Sequence, residues 1–188
     1  MTETLEGEVL ITYSLIGCGR ISTNHIKAAV MNRLNISAVC DIVPEKIEAV
    51  LAQHSIERDK AISRYTDYKK MLTEKQPQLV AIATNSGSHA QIALDCIESG
   101  CHVIIEKPIA LSIADADAII KCANKKGVLV CACHQNRFNI SMQHFRSAIE
   151  QGRFGKLSTV VCMCAGIAIR VIMSKHLGVG HGCRTAEL

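Results

Sequence analysis

With 188 residues the chain is long enough for one domain and the beginning of a second. A hydrophobic share of 48% fills a core, and a net charge of +4 with no basic run interleaved with aromatics argues against a nucleic-acid partner. No apolar run approaches the ~18–20 residues of a membrane-spanning helix, and the acidic start Met1–Glu8 lacks the apolar stretch of a secretory signal, so a cytoplasmic location without a membrane partner is expected.

Short apolar runs alternate with amphipathic stretches along the first 140 or so residues. Val9–Ile16 reads as a buried strand, and Ser22–Met31 as a helix opened by a Ser/Thr/Asn cluster. Ile36–Cys40 is a second strand, ending at Asp41, and Pro44–His54 a helix with proline at its start. A short element around Ile62–Tyr65 precedes a helix, Tyr68–Lys75, closed by Pro77. Leu79–Ala83 is a strand, His89–Ser99 a helix stopped by Gly100, and Val103–Glu106 the next strand. Ile113–Lys126 is a helix with Gly127 as its stop signal, followed by a strand over Val128–Cys133. Val- and Ile-rich strands separated by helices mean βαβ units on a parallel sheet covered on both faces. The fold class is therefore α/β, a doubly wound parallel sheet of the Rossmann type.

Ten cysteines in a chain without a secretory signal argue for reduced thiols. The pairs Cys131/Cys133 and Cys162/Cys164 each point to one face of a strand, where Cys serves as a small core residue. His134 beside the first pair suggests a metal, but no second pair at zinc-site spacing accompanies it, and no metal is expected.

The first turn reads Gly17-Cys18-Gly19-Arg20-Ile21-Ser22, a G-x-G-x-x-S variant of the dinucleotide fingerprint with a small residue in the third slot. Glycine serves the tight turn and the close backbone approach to a pyrophosphate, which sits on the helix N-terminus. Alone, the string is equally a plain tight turn. It follows the first strand, opens the first helix, and has Asp41 at the end of the second strand, at the spacing of a carboxylate that binds the adenosine ribose. A carboxylate there repels a 2′-phosphate, which favours NAD over NADP. Thr84-Asn85 and Glu106-Lys107-Pro108 end two further strands, on the edge where open α/β sheets bind ligands. A lysine fixed there by proline can exchange a proton with a substrate hydroxyl; a surface lysine beside an incidental proline is the alternative.

Together these strings, Gly17–His25, Ala83-Thr84-Asn85 with His89, Glu106-Lys107-Pro108 and His134–Asn139, occur in the order and spacing of the Gfo/Idh/MocA family, which the chain resembles over about residues 9–164. Within it the resemblance is to enzymes that oxidise C3 of UDP-N-acetylglucosaminuronic acid. The resemblance implies NAD-dependent hydride transfer at a sugar or nucleotide-sugar hydroxyl carbon, with Lys107 catalytic, often before a cis proline, Pro108. It implies that Gly17, Cys18, Gly19, Arg20 and Ile21 hold the pyrophosphate, Asp41 one ribose and Glu106 the nicotinamide ribose. Thr84, Asn85 and His89 would line the nicotinamide side, and Arg137 and Asn139 the mouth of the site. His134 and Asn136 would either join that mouth or bond within the last turn.

Family members run much longer and build a second α+β domain. The expected layout is an NAD-binding Rossmann domain over 1–140, the start of the α+β domain over 141–164 with a strand at Leu157–Cys164, and an out-of-frame tail over 165–188. Reading each third codon base with the next two turns the tail, with permitted codons, into a string containing Arg-Trp, Tyr-Tyr, Pro-Trp-Arg-Gly-x-Trp and Asp-Gly-Gly. Tryptophans then replace Gly166, Gly178 and Gly182, as in the subgroup resembled. A one-base deletion near codon 164 is the expected cause. Two functions follow: an NAD-binding fragment of a sugar dehydrogenase that is inactive alone, with oligomerisation confined to the full-length form, or a short NAD-binding module acting as redox sensor or partner subunit. A methyltransferase using the glycine turn for S-adenosylmethionine fits Asp41 but leaves Glu106-Lys107-Pro108 unexplained.

Overall fold

The computed structural model describes residues 10–155 and, by backbone alone, Thr159–Val161 and Arg170–Ile172. In chain order it gives β1 (Thr12–Ile16), α1 (Ser22–Met31), β2 (Asn35–Cys40), α2 (Pro44–Gln53), β3 (Ser63–Tyr65), α3 (Tyr68–Lys75) and β4 (Leu79–Ile82). Then come α4 (His89–Glu98), β5 (His102–Ile105), α5 (Ile113–Lys126) and β6 (Val130–Ala132). The strands form one six-stranded sheet in the order β3-β2-β1-β4-β5-β6, every pair parallel. This is the doubly wound order expected, with its switch point between β1 and β4.

Alternate strand residues feed two separate cores, because successive side chains leave a strand on opposite faces. Tyr13, Leu15, Val39 and Ala81 pack against Ile26 and Ala29 of α1 and Ile47, Val50 and Leu51 of α2. Ile16, Val80, Ile82, Val103 and Ile105 face the other way, against Met71 and Leu72 of α3, Ile92, Cys96 and Ile97 of α4 and Ile119 of α5. Burial on both faces explains the continuous apolar strands. Local chemistry sets the helix ends: Asp67 caps α3 by accepting from the Lys69 N–H at 2.8 Å, and Ser112 caps α5 by accepting from the Asp115 N–H at 3.0 Å. Helix α5 stops at Gly127, whose φ of +68° suits the left-handed exit.

Two strands of the sheet begin two or more residues later than the sequence suggests. β1 starts at Thr12 rather than Val9, because its neighbours begin at its partners Asn35 and Leu79; Leu10 and Ile11 are left exposed. β6 starts at Val130, because the Val128 N–H is used to close α5 onto the Ala123 carbonyl. Among the described residues no helix is long and apolar enough to cross a membrane.

The chain divides into two compact units between His134 and Gln135. The second holds a 3-10 turn (Gln135–Phe138), α6 (Ile140–Glu150) and an antiparallel pair, β7 (Thr159–Val161) with β8 (Arg170–Ile172). The sequence reading assigns no element to 140–150. There, Arg146 and Glu150 pair at 2.7 Å one turn apart, and the rings of Phe145 and Phe154 meet at 5.6 Å. β7 falls within the strand expected at Leu157–Cys164, whose ends lie outside the described residues, as does the expected tail 165–188 apart from the β8 backbone.

Candidate functional site

Neighbouring strands β1 and β4 send their following helices to opposite faces, since α1 packs in one core and α4 in the other. The crevice at their carboxyl ends is where this topology takes a ligand. Gly17 turns the chain out of β1 there with φ +97°, and its N–H donates to the Cys40 carbonyl at 2.8 Å. A Cβ on Gly17 would lie 2.6 Å from the Ala83 carbonyl group, so only glycine lets β1 pass the end of β4. At Gly19, by contrast, a Cβ would meet nothing within 4 Å. That open surface is what a pyrophosphate needs in order to approach backbone. Arg20 is exposed beside it, and Ile21 leads into α1 with no side chain capping the helix. Ser22, in the third slot, is buried and donates its hydroxyl to the Gly19 carbonyl, closing the turn.

Asp41 stands at the end of β2 against this turn. Its Oδ2 accepts from the Cys18 N–H at 2.7 Å and its Oδ1 from the Val43 N–H at 2.9 Å. The carboxylate is thus fixed beside the glycine turn and only half-buried. Burial first, then the Asp41 charge, pushes the Cys18 and Cys40 thiols up to about 12, so both stay protonated at neutral pH and are poor nucleophiles.

Beyond β4, Thr84 and Asn85 enter a 3-10 turn, Ser86–Ser88, with the Ser88 hydroxyl 3.0 Å from Thr84 Oγ1. Asn85 is exposed on the rim. His89 is almost fully buried: its Nδ1 lies 2.8 Å from the Pro108 carbonyl and its Nε2 3.2 Å from the Thr84 carbonyl. Rather than lining the edge, His89 braces the loop after β4 to the loop after β5. Lys107-Pro108 is a cis peptide, and both residues are exposed on the rim. Among the described residues the Lys107 side chain makes no hydrogen bond or ion pair, which leaves its ammonium available to a ligand.

Glu106 is buried and doubly engaged: Oε2 accepts from the Lys107 N–H at 3.2 Å, and Oε1 lies 3.1 Å from His25 Nε2. The partnership with His25, 81 residues away, was not foreseen from spacing; a histidine on the first turns of α1 facing the sheet edge was the available signal. The thiol of Cys133 lies near them, with the three donor atoms all within 4.8 Å of one another. Arg137 and Asn139 belong to the second unit, exposed in and just after its 3-10 turn. Asn136 bonds locally, its carbonyl accepting from the Asn139 N–H at 3.2 Å, while His134 is exposed at the end of the first unit.

Residues 11–134, the sheet and this edge, match the model of an oxidoreductase family with an NAD-binding Rossmann fold. The chain belongs to the Gfo/Idh/MocA family. Among its relatives, inositol 2-dehydrogenase of Salmonella typhimurium (strain LT2) is 27% identical over 145 residues, covering 76% of this chain and 42% of that protein. The D-apiose dehydrogenase of Paraburkholderia graminis is 32% identical over 143 residues, covering 76% and 37%. Among solved structures, the WlbA dehydrogenase from Bordetella pertussis, crystallised with NADH and UDP-GlcNAcA, superposes with a TM-score of 0.72 at 34% identity. That match covers 80% of this chain and 45% of WlbA. The chain thus spans less than half the length of these Gfo/Idh/MocA relatives.

Proposed function

We propose that this domain binds NAD(H) along the carboxyl edge of its sheet and serves hydride transfer at a hydroxyl-bearing carbon of a sugar or nucleotide sugar. The observation that carries the reading is the open backbone at Gly19 beside the anchored Asp41, on the same edge as the exposed Lys107 side chain. Gly17, Cys18, Gly19, Arg20 and Ile21 would hold the pyrophosphate at the start of α1. Asp41 would accept from the adenosine ribose hydroxyls and disfavour a 2′-phosphate. Thr84, Asn85 and Glu106 would line the nicotinamide half, with His89 and Pro108 setting the spacing of their loops. When bound, NAD supplies the hydride acceptor.

Lys107 carries the proton chemistry: its Nζ would take the substrate hydroxyl proton in oxidation and return it in reduction. Glu106, bonded to the Lys107 backbone N–H, would fix where that lysine starts. The 34% identity to WlbA supports a nucleotide-linked hexuronic acid as substrate. By itself the chain would bind NAD(H) without turning such a substrate over. Productive placement of a reactant contributes about 7–11 kcal/mol to such reactions, and in relatives more than half of the length lies beyond the part matched here.

Titration with NADH, followed by quenching or enhancement of its fluorescence, tests the reading against NADPH and S-adenosylmethionine. NADH should bind at least about tenfold tighter than NADPH, a difference of about 1.4 kcal/mol, and S-adenosylmethionine should not compete. Equal affinity for the two nicotinamides, or displacement by S-adenosylmethionine, would overturn it.

A further inference from the structure

The group formed by His25, Glu106 and Cys133 has a geometry that the dinucleotide reading does not require. Its three donor atoms, one imidazole nitrogen, one carboxylate oxygen and one sulfur, all lie within 4.8 Å of one another. They come from three different elements of the first unit: His25 from α1, Glu106 from the end of β5 and Cys133 from the end of β6. Parallel pairing puts the last two side by side, since Ile105 pairs with Ala132 and the Cys133 N–H donates to the Ile105 carbonyl at 2.8 Å. The side chains of His25 and Glu106 are only 10% and 11% exposed, while Cys133 is half-buried and leaves a path for an ion.

We propose that His25 Nε2, Glu106 Oε1 and Cys133 Sγ form a three-ligand site for a borderline-soft divalent cation of the zinc class. Donor chemistry selects the metal: nitrogen, carboxylate oxygen and thiolate together suit Zn²⁺ or Co²⁺, whereas Mg²⁺ and Ca²⁺ take all-oxygen sets. Zinc sits about 2.0–2.2 Å from nitrogen or oxygen and about 2.3 Å from sulfur, which places tetrahedral ligands about 3.3–3.6 Å apart. The observed 3.1 Å between His25 Nε2 and Glu106 Oε1 is already close to that spacing, and the sulfur, within 4.8 Å of both, needs to move in by no more than about 1–1.5 Å. Glu106 is preset for the task, because its other oxygen, Oε2, is held by the Lys107 N–H. On binding, Cys133 releases its thiol proton to solvent and water fills the fourth position. The ion ties α1 to the β5–β6 side of the sheet. Cys131, two residues earlier and exposed, stands outside the site. The site shares Glu106 with the proposed nicotinamide edge, whereas His25 and Cys133 have no part in that reading.

Cobalt titration of the full 188-residue chain under reducing conditions tests this. A thiolate-to-Co²⁺ charge-transfer band in the near ultraviolet should saturate at one equivalent, and Zn²⁺ should bleach it. Cys131→Ser should leave the band unchanged. Cys133→Ser should abolish it, and His25→Gln, which can still bond to Glu106, should weaken Co²⁺ binding by at least about tenfold, as losses around metal sites do. Zn²⁺ should raise the melting temperature of the parent but not of Cys133→Ser, since a ligand for the folded state alone stabilises it. Far-ultraviolet circular dichroism separates an unfolded variant from a folded one that has lost the metal, and His25→Gln gives the reading if Cys133→Ser does not fold. No charge-transfer band in the parent chain, or a band that survives Cys133→Ser and disappears in Cys131→Ser, would overturn the proposal.

Discussion

Replacing Gly17 by alanine puts a methyl group 2.6 Å from the carbonyl carbon and oxygen of Ala83 and 2.7 Å from the Thr84 nitrogen. All three are backbone atoms at the end of a central strand, so no side chain can rotate away to make room. Gly17 also has φ +97°, a conformation that costs an L-residue about 1–2 kcal/mol. Forcing a methyl into a packed site adds about 1–3 kcal/mol, for a total of about 2–5 kcal/mol. A domain of this kind is stable by about 5–15 kcal/mol, so Gly17→Ala should remain mostly folded but melt about 4–20 °C lower, at about 2–4 °C per kcal/mol. Gly19→Ala is the matched control. Its new methyl meets nothing within 4 Å and no left-handed φ is involved, so stability should move by less than about 0.5 kcal/mol, while NADH binding falls because the methyl occupies the approach to the backbone. Urea unfolding followed by far-ultraviolet circular dichroism, paired with NADH titration, reads both. Gly17→Ala unfolding within about 0.5 kcal/mol of the parent, or Gly19→Ala binding NADH unchanged, would refute the division of labour between the two glycines.

Asp41→Asn should weaken NADH binding and narrow the preference over NADPH by about tenfold, about 1.4 kcal/mol, as paired fluorescence titrations would show; an unchanged NADH-to-NADPH ratio would count against a ribose role. His89→Ala removes the brace between two loops and the hydrogen bond to the Pro108 carbonyl, which should cost about 0.5–1.5 kcal/mol in urea unfolding. Because burial holds Cys18 and Cys40 protonated up to about 12, while free thiols ionise near 8.5, the unfolded chain releases their protons first as pH rises. The stability they contribute is intact below about pH 8.5 and is lost between there and about pH 12; a urea midpoint as high at pH 10 as at pH 8 would contradict this. Sequencing the coding DNA across codon 164 should show the alternate frame open past codon 188, and an alternate frame that closes within a few codons would remove the out-of-frame reading of residues 165–188.

Much of the fold was legible because each element carries its own signal. Helices α1, α3 and α5 span the residues that the apolar period suggests, α1 without a side-chain cap, and Gly127 stops α5 as its left-handed φ requires. Less legible were the ends of β1 and β6, which depend on where partner strands start and on a helix exit claiming the Val128 N–H. At the candidate site, Gly17, Gly19, Asp41 and Lys107 were readable because a strand–turn–helix fixes each within a few residues of its own element. The role of His89 as a buried brace was not readable. Its position is set by two carbonyls, those of Thr84 and Pro108, and the second is 19 residues away.

The sequence by itself determined the alternation of strands and helices, the glycine turn with its carboxylate, and the lysine before proline, all of which depend on neighbours along the chain. Only the tertiary structure decided which strand ends stand side by side. By placing β1 against β4 it makes Gly17 a contact with Ala83, 66 residues on. By placing β5 beside β6 it brings Glu106 next to Cys133, where His25 of α1 joins them in one group. Such meetings leave no spacing in the sequence, because parallel pairing through crossover helices joins residues at separations set by whole elements rather than by the period of any one of them.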